Sequence, residues 1–484
     1  MEVRSVKANF MFSNVRLVLN LLIPAVVFPY VSRVLGPDGI GRVEFASSVV
    51  SYFALFAALG IPVYGIRAVA RIRDDQQRLS AAVSGITAVL CVTCAVCLAA
   101  YAAAMAFVPV MRHEWILFSV VAPNIVLQAF SYEWFYVGIE DQAYITRRFV
   151  LVKLVQVAAI FALVRSAQDS IVYAAILVGM NGIGTAFNVA RLRRYVHLSA
   201  YGMEVRQHVR PALTVFAAVA ATSVYMHLDV TMVGAICGGR ATGLYTTANK
   251  IVRIVISVVT SLGTVMAPRL ANNVGTGDLV SYRRNLLKSL HFMLFLAVPC
   301  VAGLVPVADG FVRLFAGADF ADAGLSMKLL SPIILIVGCA HFVGMQILYS
   351  NKRESWYTAA VSVAAVCNFA ANMVLIPRFA QNGAVAGTLV AEGVGLAVMC
   401  VLGRRLIADA RVIDWRLLGY FAASAMMLCA MLAVRRFLCA DMFILVAVGA
   451  AVYLACMALW ARMCGVRLRE IVGRMRGSAN FVPK

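Results

Sequence analysis

Apolar runs of about 20 residues recur from one end of this chain to the other, separated by short polar connections that hold most of its arginines. A helix of about 20 residues crosses a ~30 Å hydrocarbon core, so each run reads as a membrane-spanning helix. The pattern predicts fourteen of them: residues 11–35, 43–66, 80–108, 116–138, 149–164, 171–190, 211–236, 243–266, 286–306, 325–349, 355–376, 383–403, 417–434 and 442–462. An even number places both termini on one side. The first run is too long for a signal-peptide core and has no clean small-residue cleavage site, so it reads as a retained helix.

The basic residues test this count by position. The two tails and the even-numbered connections, with the helix ends that flank them, hold 29 Lys and Arg, and the odd-numbered connections with theirs hold 9. Cytoplasmic connections carry such an excess, and one missed helix would invert every later loop. Both termini are therefore expected in the cytoplasm. Composition agrees: 62% of the 484 residues are hydrophobic and 13% charged, with a mean hydropathy of +0.87. The net charge of +21, which in a soluble chain would suggest nucleic acid, follows here from the loop bias. No nucleic-acid partner is expected.

The longest connection, residues 191–210, is basic with scattered aromatics and could lie on the headgroups as an interfacial helix. It falls near the midpoint, which suggests an internal repeat. At an offset of 202, Leu35–Val50 aligns with Cys237–Val252, matching Gly36 with Gly238, Gly41 with Gly243, Ala46 with Ala248 and Val50 with Val252. Each stretch joins the first two helices of a half. Of the twelve cysteines, Cys91, Cys94 and Cys97 have a CxxCxxC spacing, but no fourth ligand or polar shell accompanies them. They read as small side chains in a bundle, and neither a metal nor another cofactor is expected.

The stretches "FPYVSRVLGPDGIGRVEFASSVVSYF", "SYEWFYVGIEDQAYITRR" and "LDVTMVGAICGGRATGLYTTANKI" resemble the polysaccharide-transport branch of the multidrug/oligosaccharidyl-lipid/polysaccharide (MOP) exporter superfamily, which contains the Wzx-type flippases. The resemblance implies an all-α membrane protein with two six-helix lobes around a central cavity, plus two further helices. On that basis the N-lobe would be residues 1–190 and the C-lobe 211–403, followed by the extra helices at 404–463 and a basic cytoplasmic tail at 464–484. It also implies an undecaprenyl-diphosphate-linked oligosaccharide as substrate, moved between leaflets of the bacterial cytoplasmic membrane by alternating access. Membrane lipids and a polysaccharide polymerase complex are the partners it suggests. A lipid II flippase and a cation-coupled drug exporter of the MATE type are the alternatives.

Charges inside the spans are costly, about 2.5–3.5 kcal/mol each at the bilayer centre, and tend to face a bundle interior or a wet cavity. The eighth span carries Thr246, Lys250, Arg253, Ser257, Ser261 and Thr264 on one helical face. At ~1.5 Å per residue, Lys250 lies about 10 Å and Arg253 about 15 Å from its outer end. Asp229 lies at a depth similar to that of Lys250. Two readings stay open: the two neutralise each other and fix a hairpin, or Lys250 meets substrate while Asp229 serves ion coupling. Arg253 has no acid at its level. Ser13, Arg16 and Asn20 repeat the theme in the first span, where Arg16 could also snorkel to headgroups.

Lys153 and Lys328 read as snorkelling from helix ends. Glu133 reads as an interfacial ion pair with Arg147 or Arg148, beside an aromatic belt of Trp134 and Tyr136. Glu392, midway along the twelfth span among glycines, is an ion-coupling candidate, or else bonds to Asn368 or Asn372. Guanidinium and ammonium groups suit a diphosphate, so Arg16, Asn20, Lys250 and Arg253 are the expected substrate contacts. No GxxxxGK[ST] phosphate loop occurs, and no catalytic residues are expected. The chain reads as a secondary transporter and not an enzyme.

Overall fold

The computed structural model describes residues 6–197, 205–412, 414–438 and 441–464. Among them all regular structure is helical. Eleven helical stretches are long and apolar enough to cross a membrane, and two of these, Val18–Ile72 and Thr222–Gly275, bend at Gly36 and Gly238 into two arms each. A further helix, Gln142–Leu163, is 22 residues long but carries Arg147, Arg148 and Lys153. Counted by arms and with this helix included, the described residues hold a helical segment for each of the fourteen runs that the apolar pattern predicts.

The two bends are the glycines that the offset of 202 pairs. Gly36 has φ 67° and ψ 178°, and Gly238 has φ 81° and ψ −171°. L-residues are penalised in that region, whereas glycine enters it freely. A Cβ on either would meet nothing within 4 Å, so backbone conformation, not packing, demands glycine there. Pro37 then opens the second arm, where its fixed φ suits a first helical turn and its missing N–H costs nothing. The sequence leads one to expect polar connections at these two places; the structure has a one-residue corner instead.

The two corners meet closely. A Cβ on Gly41 would collide with the carbonyl of Gly239, and one on Gly243 with the carbonyl of Pro37. Two glycines thus let the backbones of the corner segments touch, the small-residue packing that membrane helices use in place of a hydrophobic driving force.

The chain divides into two compact units. The first comprises Met1–Thr246, Phe315–Phe320 and Asn372–Ala384. Its core is built around the segment 131–148. Trp134 and Tyr136, expected in an interfacial belt, are 3% and 0% exposed. Trp134 packs on the bare backbone of Gly65, and the Tyr136 hydroxyl donates to the Asn188 carbonyl at 2.6 Å. Rings this large bury more apolar surface inside than at a headgroup boundary. Asp141 caps the next helix through the Tyr144 amide and pairs with Arg191 at 2.8 Å, while Glu140 pairs with Arg73 at 2.6 Å.

The second unit comprises Thr247–Leu314, Ala321–Ala371 and Val385–Lys484. The last two described helices, Leu418–Leu438 and Met442–Met463, stand on the helix Leu279–Ala316 through Val307, Met427, Met431 and Leu445. The Tyr453 hydroxyl donates to the Phe295 carbonyl at 2.9 Å. Lys328 does not simply snorkel: it pairs with Asp309 at 2.6 Å, and Arg435 joins them at 3.4 Å.

Residues 205–210 begin the long helix Val205–Gly275. At the other end of the expected interfacial segment, residues 191 and 192 close the helix Ser170–Leu192; its middle, 198–204, and the basic tail from 465 onward lie outside the described residues, as does the Ser13 side chain.

Between Gln142–Leu163 and Ser170–Leu192 the connection is tied by Asp169, which accepts the backbone N–H groups of Arg165 at 2.8 Å and Ser166 at 2.7 Å. These bonds favour the carboxylate and hold its pKa below the ordinary value. A depressed acid pKa contributes stability above the unfolded value and loses it as pH falls through the folded one. The Arg165 and Ser166 amides should therefore exchange hydrogen faster, relative to an intrinsic-rate control, once pH drops below the usual carboxylate range. Unchanged protection would show that Asp169 does not hold the turn.

Candidate functional site

The polar face of the eighth span is real, but most of it satisfies itself. The Ser257 hydroxyl donates to the Ile254 carbonyl and that of Ser261 to the Val258 carbonyl, both at 2.7 Å. Thr264 bonds to the Thr260 carbonyl and lies 3.3 Å from the His341 Nε2. Short hydroxyls can fold back onto their own helix in this way, so the stripe costs little even without a ligand. The charges cannot do this. Arg253, half-buried and fifteen residues past the Gly238 corner, has no hydrogen bond or ion pair among the described residues. A guanidinium carries five donors, and leaving them unmet within an apolar membrane span is expensive. An anionic or oxygen-rich group would repay that cost. Lys250, half-buried one helical turn away, presents an ammonium on the same face.

In the other unit, Asp229 is 9% exposed and accepts the Tyr245 hydroxyl at 2.6 Å and the Asn372 amide at 2.7 Å. Two donors stabilise its carboxylate in place. Asn372, one of the two partners envisaged for Glu392, gives one of its amide hydrogens to Asp229. Glu392 sits at the middle of the helix Gln381–Leu402, and Gly393 beside it has open space around it.

Arg16 is engaged: its guanidinium pairs with Glu133, which also lies 3.6 Å from Arg148. The expected pairing of Glu133 with Arg148 is present, and Arg16 joins it from 117 residues away. Asn20, one turn further along the first arm, is exposed. Arg16, Asn20 and Asp229 belong to the first unit, and Lys250, Arg253 and Glu392 to the second.

The apolar pattern misplaces one charge. Lys153, expected near a helix end, lies at the middle of Gln142–Leu163 and donates to the Gln156 Oε1 at 2.8 Å. The apolar run suggests a start at 149. The Asp141 N-cap, an available signal, starts the helix seven residues earlier. The CxxCxxC cysteines are free, and among the described residues no cluster of His, Cys, Asp and Glu could hold a metal.

Residues 6–274 match the model of the family described as polysaccharide biosynthesis protein. A protein of Escherichia coli (strain K12) designated as an O-antigen transporter is 20% identical over 407 residues, covering 83% of this chain and 97% of its own. Among solved structures, the lipid II flippase MurJ in an inward closed conformation superposes with a TM-score of 0.73 at 11% identity, covering 94% of this chain and 99% of that one. An inward-facing multidrug resistance transporter of the MATE family, MOP superfamily, gives 0.59 at 14% identity, covering 82% and 96%. The corner glycines, the 131–148 segment and the polar eighth span all lie inside the matched region, and the chain belongs to the polysaccharide biosynthesis protein family.

Proposed function

We propose that this protein is a flippase of the bacterial cytoplasmic membrane. It moves an undecaprenyl-diphosphate-linked oligosaccharide, the repeat unit of an O-antigen, capsule or exopolysaccharide, from the inner to the outer leaflet. The observation that carries this reading is Arg253, a half-buried guanidinium without a protein partner among the described residues, on the polar face of an apolar helix. A diphosphate offers pairs of oxygens that the planar guanidinium fork binds in bidentate fashion. The family match and the designation of the E. coli relative as an O-antigen transporter support the same substrate class. Lys250, Arg16 and Asn20 are the further contacts proposed, with Asp229 and Glu392 as ion-coupling sites. Exchange between two conformations, with both termini in the cytoplasm, would present the site to each leaflet in turn.

Deleting the gene in its host and profiling lipid-linked glycans by mass spectrometry tests this directly. Accumulation of an undecaprenyl-diphosphate oligosaccharide on the cytoplasmic leaflet is expected. An unchanged lipid pool combined with altered sensitivity to cationic compounds would overturn it.

A further inference from the structure

The first unit contains a polar cavity of about 220 Å³ that the diphosphate site does not use. It lies among the second arm of Val6–Ala58 and the helices Pro123–Ala129, Gln142–Leu163 and Ser170–Leu192, and all its lining residues belong to that unit. Lys153, Gln156, Gln128, Asn124, Asn181 and Ser51 supply its polar surface, and no carboxylate lines it.

The bonding inside the cavity leaves donors in excess. Lys153 gives one ammonium hydrogen to Gln156, and Asn181 gives one amide hydrogen to Asn124 at 3.2 Å. Ser51 turns its proton to the Ser47 carbonyl at 2.8 Å, which leaves its oxygen free to accept. Two ammonium hydrogens and most of the amide hydrogens remain available. At ~30 Å³ per water the cavity has room for roughly seven waters, about the volume of one sugar ring. Its chemistry is one positive charge, no negative charge, and neutral amides that both donate and accept. A diphosphate, with two or more charges in a compact group, is a poor match for a single ammonium. A lone carboxylate set among ring hydroxyls is a good one.

We propose that this cavity is a sugar subsite that selects a carboxylate-bearing pyranose, a hexuronic acid. Lys153 takes the carboxylate, and Gln156, Gln128, Asn124 and Asn181 take the ring hydroxyls. The proposal rests on the flippase reading for its biological setting and names the kind of repeat unit that is moved. Gln156 positions the ammonium, because its carbonyl fixes one of the three N–H directions.

The test uses full-length protein in lipid nanodiscs, with methyl glucuronide and methyl glucoside as probes and saturation-transfer NMR as readout. The two differ only in the carboxylate. The wild type should bind the glucuronide about tenfold more tightly, the effect expected of one charge-assisted hydrogen bond. Lys153→Gln should erase that preference and Lys153→Arg should retain it. Asn181→Ala should weaken both sugars alike, so the subsite remains testable if Lys153→Gln does not fold. Equal binding of the two probes by wild type, or a preference that survives Lys153→Gln, overturns the proposal. Displacement of the glucuronide by geranyl diphosphate also overturns it, because the cavity would then hold the lipid headgroup. Glucuronide selectivity without accumulation of lipid-linked glycan in the deletion strain would leave the subsite standing and remove the flippase.

Discussion

Arg253→Ala should abolish export of the surface polysaccharide while the protein still inserts and folds. The guanidinium makes no hydrogen bond or ion pair among the described residues, so removing it breaks nothing that holds the helices together. Removing an unpaired charge from an apolar span should leave stability unchanged or raise it. Function is a different matter. A hydrogen bond to a charged group contributes about 1.5–3 kcal/mol, so losing even one costs roughly 10- to 100-fold in substrate affinity. Removing a bidentate pairing from a cavity of low dielectric costs more. Arg253→Lys keeps the charge but not the fork and should recover only part of the export. Protein abundance, thermal stability in detergent and surface polysaccharide, measured together, separate the two effects. Normal export with Arg253→Ala would remove this residue from the mechanism. Loss of export accompanied by loss of folded protein would reassign it to architecture.

Gly41→Ala should have the opposite profile, with folded protein lost first. Its Cβ would strike the carbonyl of Gly239 and the amide of Gly243, both backbone. A crowded side chain can change rotamer, but backbone can only move away, and here that means separating the two corners. Overpacking costs about 1–3 kcal/mol even where side chains can adjust, so a larger loss is expected. Gly179→Ala is the control, because a Cβ there meets nothing within 4 Å and alanine favours a helix interior by about 1 kcal/mol. Retention of a monodisperse size-exclusion peak after heating reads both variants. A Gly41→Ala protein as heat-resistant as the Gly179→Ala control would mean that the corners do not depend on this close approach.

Much of the fold is legible in the chain because lipid imposes a strong local rule: an apolar run of the right length must be a helix. Arg253 is legible for the same reason, since 3.6-residue periodicity alone puts it on a face with Lys250 and Ser257. The sequence also shows no acid at its level, but that no hydroxyl, amide or carbonyl among the described residues bonds to it is a property of the whole bundle. Arg16 shows this from the other side: its acid is Glu133, 117 residues away, and nothing local announces such a pair. Trp134 and Tyr136 mislead because an aromatic residue beside charges looks the same at a headgroup boundary as in a core. The bare backbone of Gly65, which makes room for the indole, is visible only in three dimensions. Lys153 misleads because hydropathy finds the apolar part of a helix and not its cap. Asp141 extends that helix through a polar, arginine-bearing turn which the apolar run leaves out.

The corners at Gly36 and Gly238 bear on how the chain can be probed from outside. Each joins two helical arms with no loop between them, so a protease or an antibody finds no extended strand of backbone to grip at either place. An epitope or reporter inserted between residues 36 and 41 would have to pry apart two touching backbones before it could be displayed. Its silence would record that obstruction and not the side of the membrane on which the corner lies. Topology is better mapped at the connection tied by Asp169, where residues 165–168 are exposed and an inserted tag has room to stand clear.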